Sequence, residues 1–145
     1  MSTPGCIARK TKDGFEGRYH NFDSYPKGLG KALYGVRNGY FKKNTEAMLK
    51  YLIDDHPAGW SSIVQRDFNK KAGFDGDGPL CYCHGTRNED EQLITEEDAE
   101  SYLYVYAFED NIMHIMGVVK GKWKSVKKID MDKKEPNWNK IKVNV

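Results

Sequence analysis

The sequence predicts a single α+β domain over residues 1–145: an N-terminal β-hairpin, two short helices and a C-terminal antiparallel β-meander, with the helices packed on one face of a mixed or antiparallel sheet. Three observations carry this reading. Lys12-Asp13-Gly14 lies between two strand-like runs, and Asp-Gly suits the positive φ of a tight hairpin turn. Met48, Leu49, Leu52 and Ile53 recur at helical spacing. From Ser101 to Phe108 the chain alternates strictly, with Tyr102, Tyr104, Tyr106 and Phe108 on one face and Leu103, Val105 and Ala107 on the other.

The elements follow in order. Cys6 to Lys10 reads as the first strand and Phe15 to Phe22 as its return. A helix from about Gly28 to Asn38 carries Leu29, Leu33 and Val36 at helical spacing, and Gly39 closes it. Asn44 or Thr45 caps the second helix, which stops at Pro57 after His56. Trp60 reads as a core plug in a short connector. Asn69 to Pro79 is a glycine-aspartate loop, and its Asp75-Gly76-Asp77-Gly78 lacks the twelve-residue ligand pattern of a calcium loop. Thr95 and Asp98 form a capped acidic turn. After the tyrosine strand, Glu109-Asp110-Asn111 turns the chain into Ile112 to Val119, and Gly121 turns it again into Trp123 to Ile129. The tail from Lys133, with an isolated Trp138, reads as a loosely docked arm over 133–145.

Composition sets limits on function. A net charge of +2 on 145 residues does not argue for nucleic acid as the partner. The charge is uneven: Glu89 to Asp110 is wholly acidic in its charged residues, and the chain from Lys120 onward is lysine-rich. Solvated faces explain this, and so does a surface for a host protein near Glu96 to Glu100 or in the lysine-rich part. No apolar run approaches the roughly 20 residues of a membrane span. Met1-Ser2-Thr3-Pro4-Gly5 lacks the basic and apolar regions of a signal peptide. Three cysteines form no complete disulfide set. A soluble protein of the reducing cytoplasm, without a membrane partner, is expected.

One stretch concentrates chemistry: Arg18-Tyr19-His20-Asn21-Phe22-Asp23-Ser24-Tyr25-Pro26-Lys27-Gly28-Leu29-Gly30-Lys31. His20 and Asp23 lie among large aromatics and are costly to bury without partners. Pro26 and the glycines mark a turn into a helix start, whose backbone N–H groups favour an anion. Arg18, Lys27 and Lys31 add positive charge, and Tyr19, Phe22 and Tyr25 add aromatic faces for a base. The expectation is a ligand site for a small anionic, nucleotide-like molecule, made by Arg18, Tyr19, His20, Phe22, Asp23, Tyr25, Lys27, Gly28, Gly30 and Lys31. A hydrolase or transferase is the alternative, with His20 and Asp23 as an acid/base pair and Cys83 or water as nucleophile. A loop with a satisfied His–Asp hydrogen bond and solvated lysines accounts for the same residues. A second cluster, Cys81, Cys83 and His84, offers three zinc-ligand types in four positions. Its spacing lacks the two-residue gap between cysteines usual in structural zinc sites. No cofactor is expected, and zinc is the alternative, its fourth ligand coming from Cys6, His20 or His56.

The opening motif resembles that of a family of small, largely uncharacterised bacterial and bacteriophage proteins, whose signature reads approximately Tyr-x-His-Trp-Asp-Gly-Tyr-Pro-x-Gly-x-Gly, or Tyr-His-His-Trp-Asp-Gly-Tyr-Pro in close variants. Tyr19, His20, Asp23, Tyr25, Pro26, Gly28 and Gly30 match it, and Asn21, Phe22 and Ser24 depart from it. Leu49 to Ile63 and Cys81 to Gly85 are similar as well. The resemblance implies no particular reaction. By analogy with a phage setting, it implies a host-interaction or counter-defence role in which a signal is sequestered.

Overall fold

The computed structural model describes residues 3–69, 79–83 and 93–143. The fold is α+β, and the described residues place eight strands in one mixed sheet. They are β1 (Gly5–Lys10), β2 (Phe15–His20), β3 (Trp60–Ser62), β4 (Leu80–Cys81), β5 (Ile94–Thr95), β6 (Tyr104–Glu109), β7 (Ile112–Val119) and β8 (Lys122–Asp130). The order across the sheet is β4-β3-β2-β1-β6-β7-β8, with β5 also on β2. The N-terminal hairpin pairs Cys6 with Tyr19 and Lys10 with Phe15. The C-terminal meander is antiparallel from β6 through β8. The two halves join where β1 runs parallel to β6, with Ile7 opposite Tyr106. That long-range pairing makes the sheet mixed.

Both helical segments change winding along their length. Pro26–Gly30 is a π-helical turn that runs straight into α1 (Lys31–Asn38). The proline sits at the start, where its missing N–H costs nothing. α2 (Thr45–Leu49) is capped by Asn44, whose side chain accepts from the Ala47 amide at 3.0 Å, and it continues as a π-helical turn over Lys50–Asp54. Between the helices the chain reverses at Lys42 and Lys43, both at positive φ. Gly39 keeps a negative φ of -92°, so the left-handed step falls on the lysines instead.

The helices cover one face of the sheet. Leu29, Leu33, Val36, Met48, Leu52 and Ile53 pack with Ile7, Tyr106, Phe108, Met113 and Ile115. Tyr106 and Phe108 are therefore buried under helices and present no stacking stripe to a ligand. Trp60 is fully buried, and its Nε1 donates to the Leu52 carbonyl at 2.9 Å. A second, smaller cluster of Cys6, Ala8, Phe15, Leu103, Val105, Ala107 and Met116 fills the opposite face. From Leu103 to Phe108 the alternation thus serves two cores, one on each side, whereas Ser101 and Tyr102 precede β6 and are exposed.

The tail is tied down at its tryptophan. Trp138 is buried in the main core, meets Tyr34 edge-on at 6.2 Å between ring centroids, and donates from Nε1 to Glu135 at 2.7 Å. Tyr34 in turn donates to the Lys133 carbonyl at 2.7 Å. On the far edge, β8 exposes Lys122, Lys124, Lys127 and Lys128. Lysines on an edge strand oppose pairing with another sheet. Among the described residues no helix is long and apolar enough to cross a membrane.

Trp138→Ala removes the largest side chain that the tail contributes to the core. It is expected to lower unfolding stability by about 3 kcal/mol. Urea denaturation of the variant against the parent checks this, with an unchanged midpoint as the contrary result.

Candidate functional site

The glycine-rich stretch is held by a buried histidine. His20 closes β2 and pairs with Trp60 of β3 across a single bridge. Its Nε2 lies 3.0 Å from the Ile63 amide, and its Nδ1 lies 2.8 Å from Ser24 Oγ. A backbone N–H can only donate, so Nε2 is the acceptor and Nδ1 carries the proton. Ser24 Oγ accepts that proton and itself donates to the His20 carbonyl at 3.3 Å. Burial drives the His20 pKa down to about 3, so the ring is neutral at physiological pH. Both ring nitrogens are committed to these partners, and Asp23 is neither of them. An acid/base pair of His20 with Asp23 has no hydrogen bond to act through here.

Asp23 does other work. It adopts the left-handed region at φ 58°, which aspartate tolerates better than most residues. Its carbonyl accepts the Leu29 amide at 2.9 Å, and its carboxylate accepts the Tyr25 hydroxyl at 3.1 Å. That carboxylate bond raises the Tyr25 pKa. The positive φ falls on Asp23, so serine at position 24 needs no glycine-like backbone.

Gly28 leaves room for the chain itself. A Cβ there would run into the Asp23 carbonyl, and one at Gly30 would crowd Trp138. The amides of Gly28 and Leu29 already donate to the Tyr25 and Asp23 carbonyls. The helix start therefore spends these donors internally.

The other residues of the stretch diverge. Arg18 is buried and donates from Nε to the Ile53 carbonyl at 2.8 Å, which ties β2 to the end of the second helical segment. Tyr19 donates to Asn21 at 2.8 Å. Phe22, Asp23, Gly28 and Lys31 line one cavity of about 280 Å³, together with Ile63 and Gln65. Tyr25 and Lys27 line another of about 270 Å³ against Trp138, with Lys27 Nζ 5.8 Å from the Tyr25 ring centroid.

A more basic cavity opens at the junction of α1 and α2. It measures about 680 Å³, and its lining includes Arg9, Arg37, Lys42, Lys43 and Thr45, against the carboxylates of Glu46 and Asp110. Arg37 is 3% exposed. Its Nε donates to Thr45 Oγ1 at 2.9 Å, and its Nη1 donates to Asn38 at 2.8 Å and Asp132 at 2.7 Å. Nη2 takes no acceptor among the described residues, and no fully buried side-chain nitrogen there lacks a partner, so Nη2 is not fully enclosed. Arg9 grips Asp54 with both terminal nitrogens, at 3.0 and 2.9 Å, and this lowers the Asp54 pKa. At the α2 start Asn44 serves Ala47 through its side chain and Met48 through its carbonyl, so the Thr45 and Glu46 amides precede the helix's own bonds. The sequence signal for this cavity was Lys42-Lys43 directly ahead of a capped helix. Nothing local marked Arg9 or Arg37.

The sulfur cluster gains a member from elsewhere. His56, Cys81 and Cys83 bring their ligand atoms within 4.8 Å of one another, and Cys83 Sγ is 3.4 Å from His56 Nδ1. His84, the third residue of the expected cluster, lies outside the described residues, as does most of the glycine-aspartate loop. Burial first, then Cys81 nearby, pushes the Cys83 thiol up to about 11. Cys6 is buried in the opposite core, and its thiol is pushed up too.

No protein-family model matches the chain, and neither a curated protein nor a solved structure does.

The buried imidazole fixes a pH dependence. The unfolded ring titrates near 6.5 and the folded one near 3. Between those values the unfolded chain holds the extra proton. The His20 contribution is therefore complete above 6.5 and declines as pH falls toward 3. Denaturation midpoints at pH 7 and pH 5 are expected to differ less in His20→Gln than in the parent, although the variant is less stable at both. Equal pH differences in the two proteins would contradict this.

Proposed function

We propose that this protein is a binding module for a small phosphate-bearing anion of the nucleotide-like class, and that the anion sits in the basic cavity at the junction of α1 and α2. One observation carries the reading: a nearly buried Arg37 guanidinium is held through Nε and Nη1 by Thr45, Asn38 and Asp132 and lines the cavity. A cation held in place loses little entropy on meeting a phosphate, and its planar fork suits paired oxygens. Lys42 and Lys43 supply flexible charge beside it, and the first amides of α2 add donors. The lining carboxylates Glu46 and Asp110 offset part of this charge, which favours a compact polyanion over an extended nucleic acid. Sequestration of such an anion is the biological role this chemistry suits. The same reasoning disfavours the motif at Lys27 and Lys31, whose neighbouring amides are already bonded.

Pyrophosphate and ATP are the probes, read by titration calorimetry at low salt. Lys42→Ala combined with Lys43→Ala is expected to weaken binding by roughly tenfold or more, on the order of 1 kcal/mol per charge-assisted contact. Lys27→Ala combined with Lys31→Ala is expected to leave it unchanged. The reverse pattern would return the site to the glycine-rich stretch, and no binding of either probe by the parent would refute the module.

A further inference from the structure

We infer that His56, Cys81 and Cys83 supply three of the protein ligands of a zinc(II) site. This inference is independent of the anion cavity. It begins with distance. Tetrahedral zinc, with bonds of roughly 2.3 Å to sulfur and 2.0 Å to nitrogen, sets a sulfur and a nitrogen ligand about 3.6 Å apart. Cys83 Sγ and His56 Nδ1 are already 3.4 Å apart, and all three ligand atoms lie within 4.8 Å. Closing the set around one ion asks for side-chain rotation, with no rearrangement of the backbone.

The fold presents these atoms deliberately. His56 follows the π-helical end of the second helical segment, Cys81 ends β4, and Cys83 lies just beyond it. β4 is placed there by its pairing with β3, which sets Cys81 opposite Trp60. The imidazole packs against a stacked pair of rings, with centroids at 4.5 Å to Trp60 and 4.8 Å to Tyr51, which are themselves 5.8 Å apart. Trp60 is itself anchored through Leu52. A ligand ring packed in this way is oriented before the metal arrives, as supporting residues do in metal sites.

The donor set selects the metal. Two thiolates and an imidazole suit zinc over calcium or magnesium, which want oxygen. Charge also balances: zinc(II) with two thiolates and a neutral imidazole is neutral overall, so the centre tolerates a largely buried position. Each thiol gives up its proton to solvent as its Zn–S bond forms, and no oxidant or reductant is involved. Of the three ligands, His56 and Cys81 are buried and Cys83 is half-buried.

Cobalt(II) and zinc(II) are the probes, added to the reduced full-length chain. One equivalent of cobalt is expected to give the thiolate-to-metal charge-transfer band and the visible bands of a tetrahedral site, which zinc then bleaches. Cys83→Ser, at a partly exposed position that tolerates substitution, is expected to lose the band's thiolate intensity and to weaken zinc binding by on the order of 100-fold. His56→Ala is expected to weaken it also, and Cys6→Ser to leave both unchanged. Circular dichroism on each variant separates lost ligation from lost folding. Octahedral cobalt spectra, no saturation near one equivalent, or a spectrum untouched by Cys83→Ser in a folded variant would overturn the site.

Discussion

The structure depends on one buried, neutral histidine. β2 and β3 share a single bridge, and just beyond it the Asn21 and Phe22 amides donate to the Trp60 and Ser61 carbonyls at 3.0 and 3.1 Å. His20 adds side-chain ties to this joint by accepting from Ile63 beyond β3 and donating to Ser24 in the following turn. Ser24 passes the tie onward, since its carbonyl accepts the Tyr106 hydroxyl of β6 at 2.6 Å. Three distant parts of the chain thus meet at one imidazole. A buried polar ring is costly unless both nitrogens are satisfied, and here both are. The same satisfaction removes it from acid/base chemistry.

The close approaches that glycine permits also serve this joint. Gly28 lets the helix start press against the Asp23 carbonyl, and Gly30 lets Trp138 reach Tyr106. A stretch that reads as a cradle for a ligand is in large part a cradle for the chain. The cationic chemistry lies further along, where two left-handed lysines reverse the backbone and Arg37 is pinned by Thr45. The second helical segment then joins two candidate sites. Its start borders the basic cavity, and its end delivers His56 to the cysteines. These sites use different donors, oxygen-seeking cations at one end and sulfur with nitrogen at the other, so each can be probed without the other.

Much of the element order was legible in the chain. The Asp-Gly turn, the period of Met48 to Ile53 and the alternation around Tyr106 are local patterns, and each matches an element found in the structure. The alternation assigned the residues of β6 to two faces, although it did not show that each face would have its own core. The parallel pairing of β1 with β6 was not legible, because no local period records which distant strand becomes a neighbour. The tail's Trp138 reads as isolated in sequence because its partners, Tyr34 and the space above Gly30, lie about a hundred residues upstream.

The sequence by itself determined which residue types could do chemistry and on which elements they ride: cysteines at 81 and 83, a histidine ahead of Pro57, lysines ahead of a helix cap. Periodicity, capping and turn preference act over a few residues, so they can be read from a linear string. Only the tertiary structure decided which of these groups meet. It paired His20 with Ser24 and Ile63 rather than Asp23, and it brought His56 to the cysteines. It also set Arg37 in the lining of a cavity. Those choices come from packing two helical segments and a returning strand edge around a common core, where side chains far apart in sequence compete for the same few hydrogen bonds.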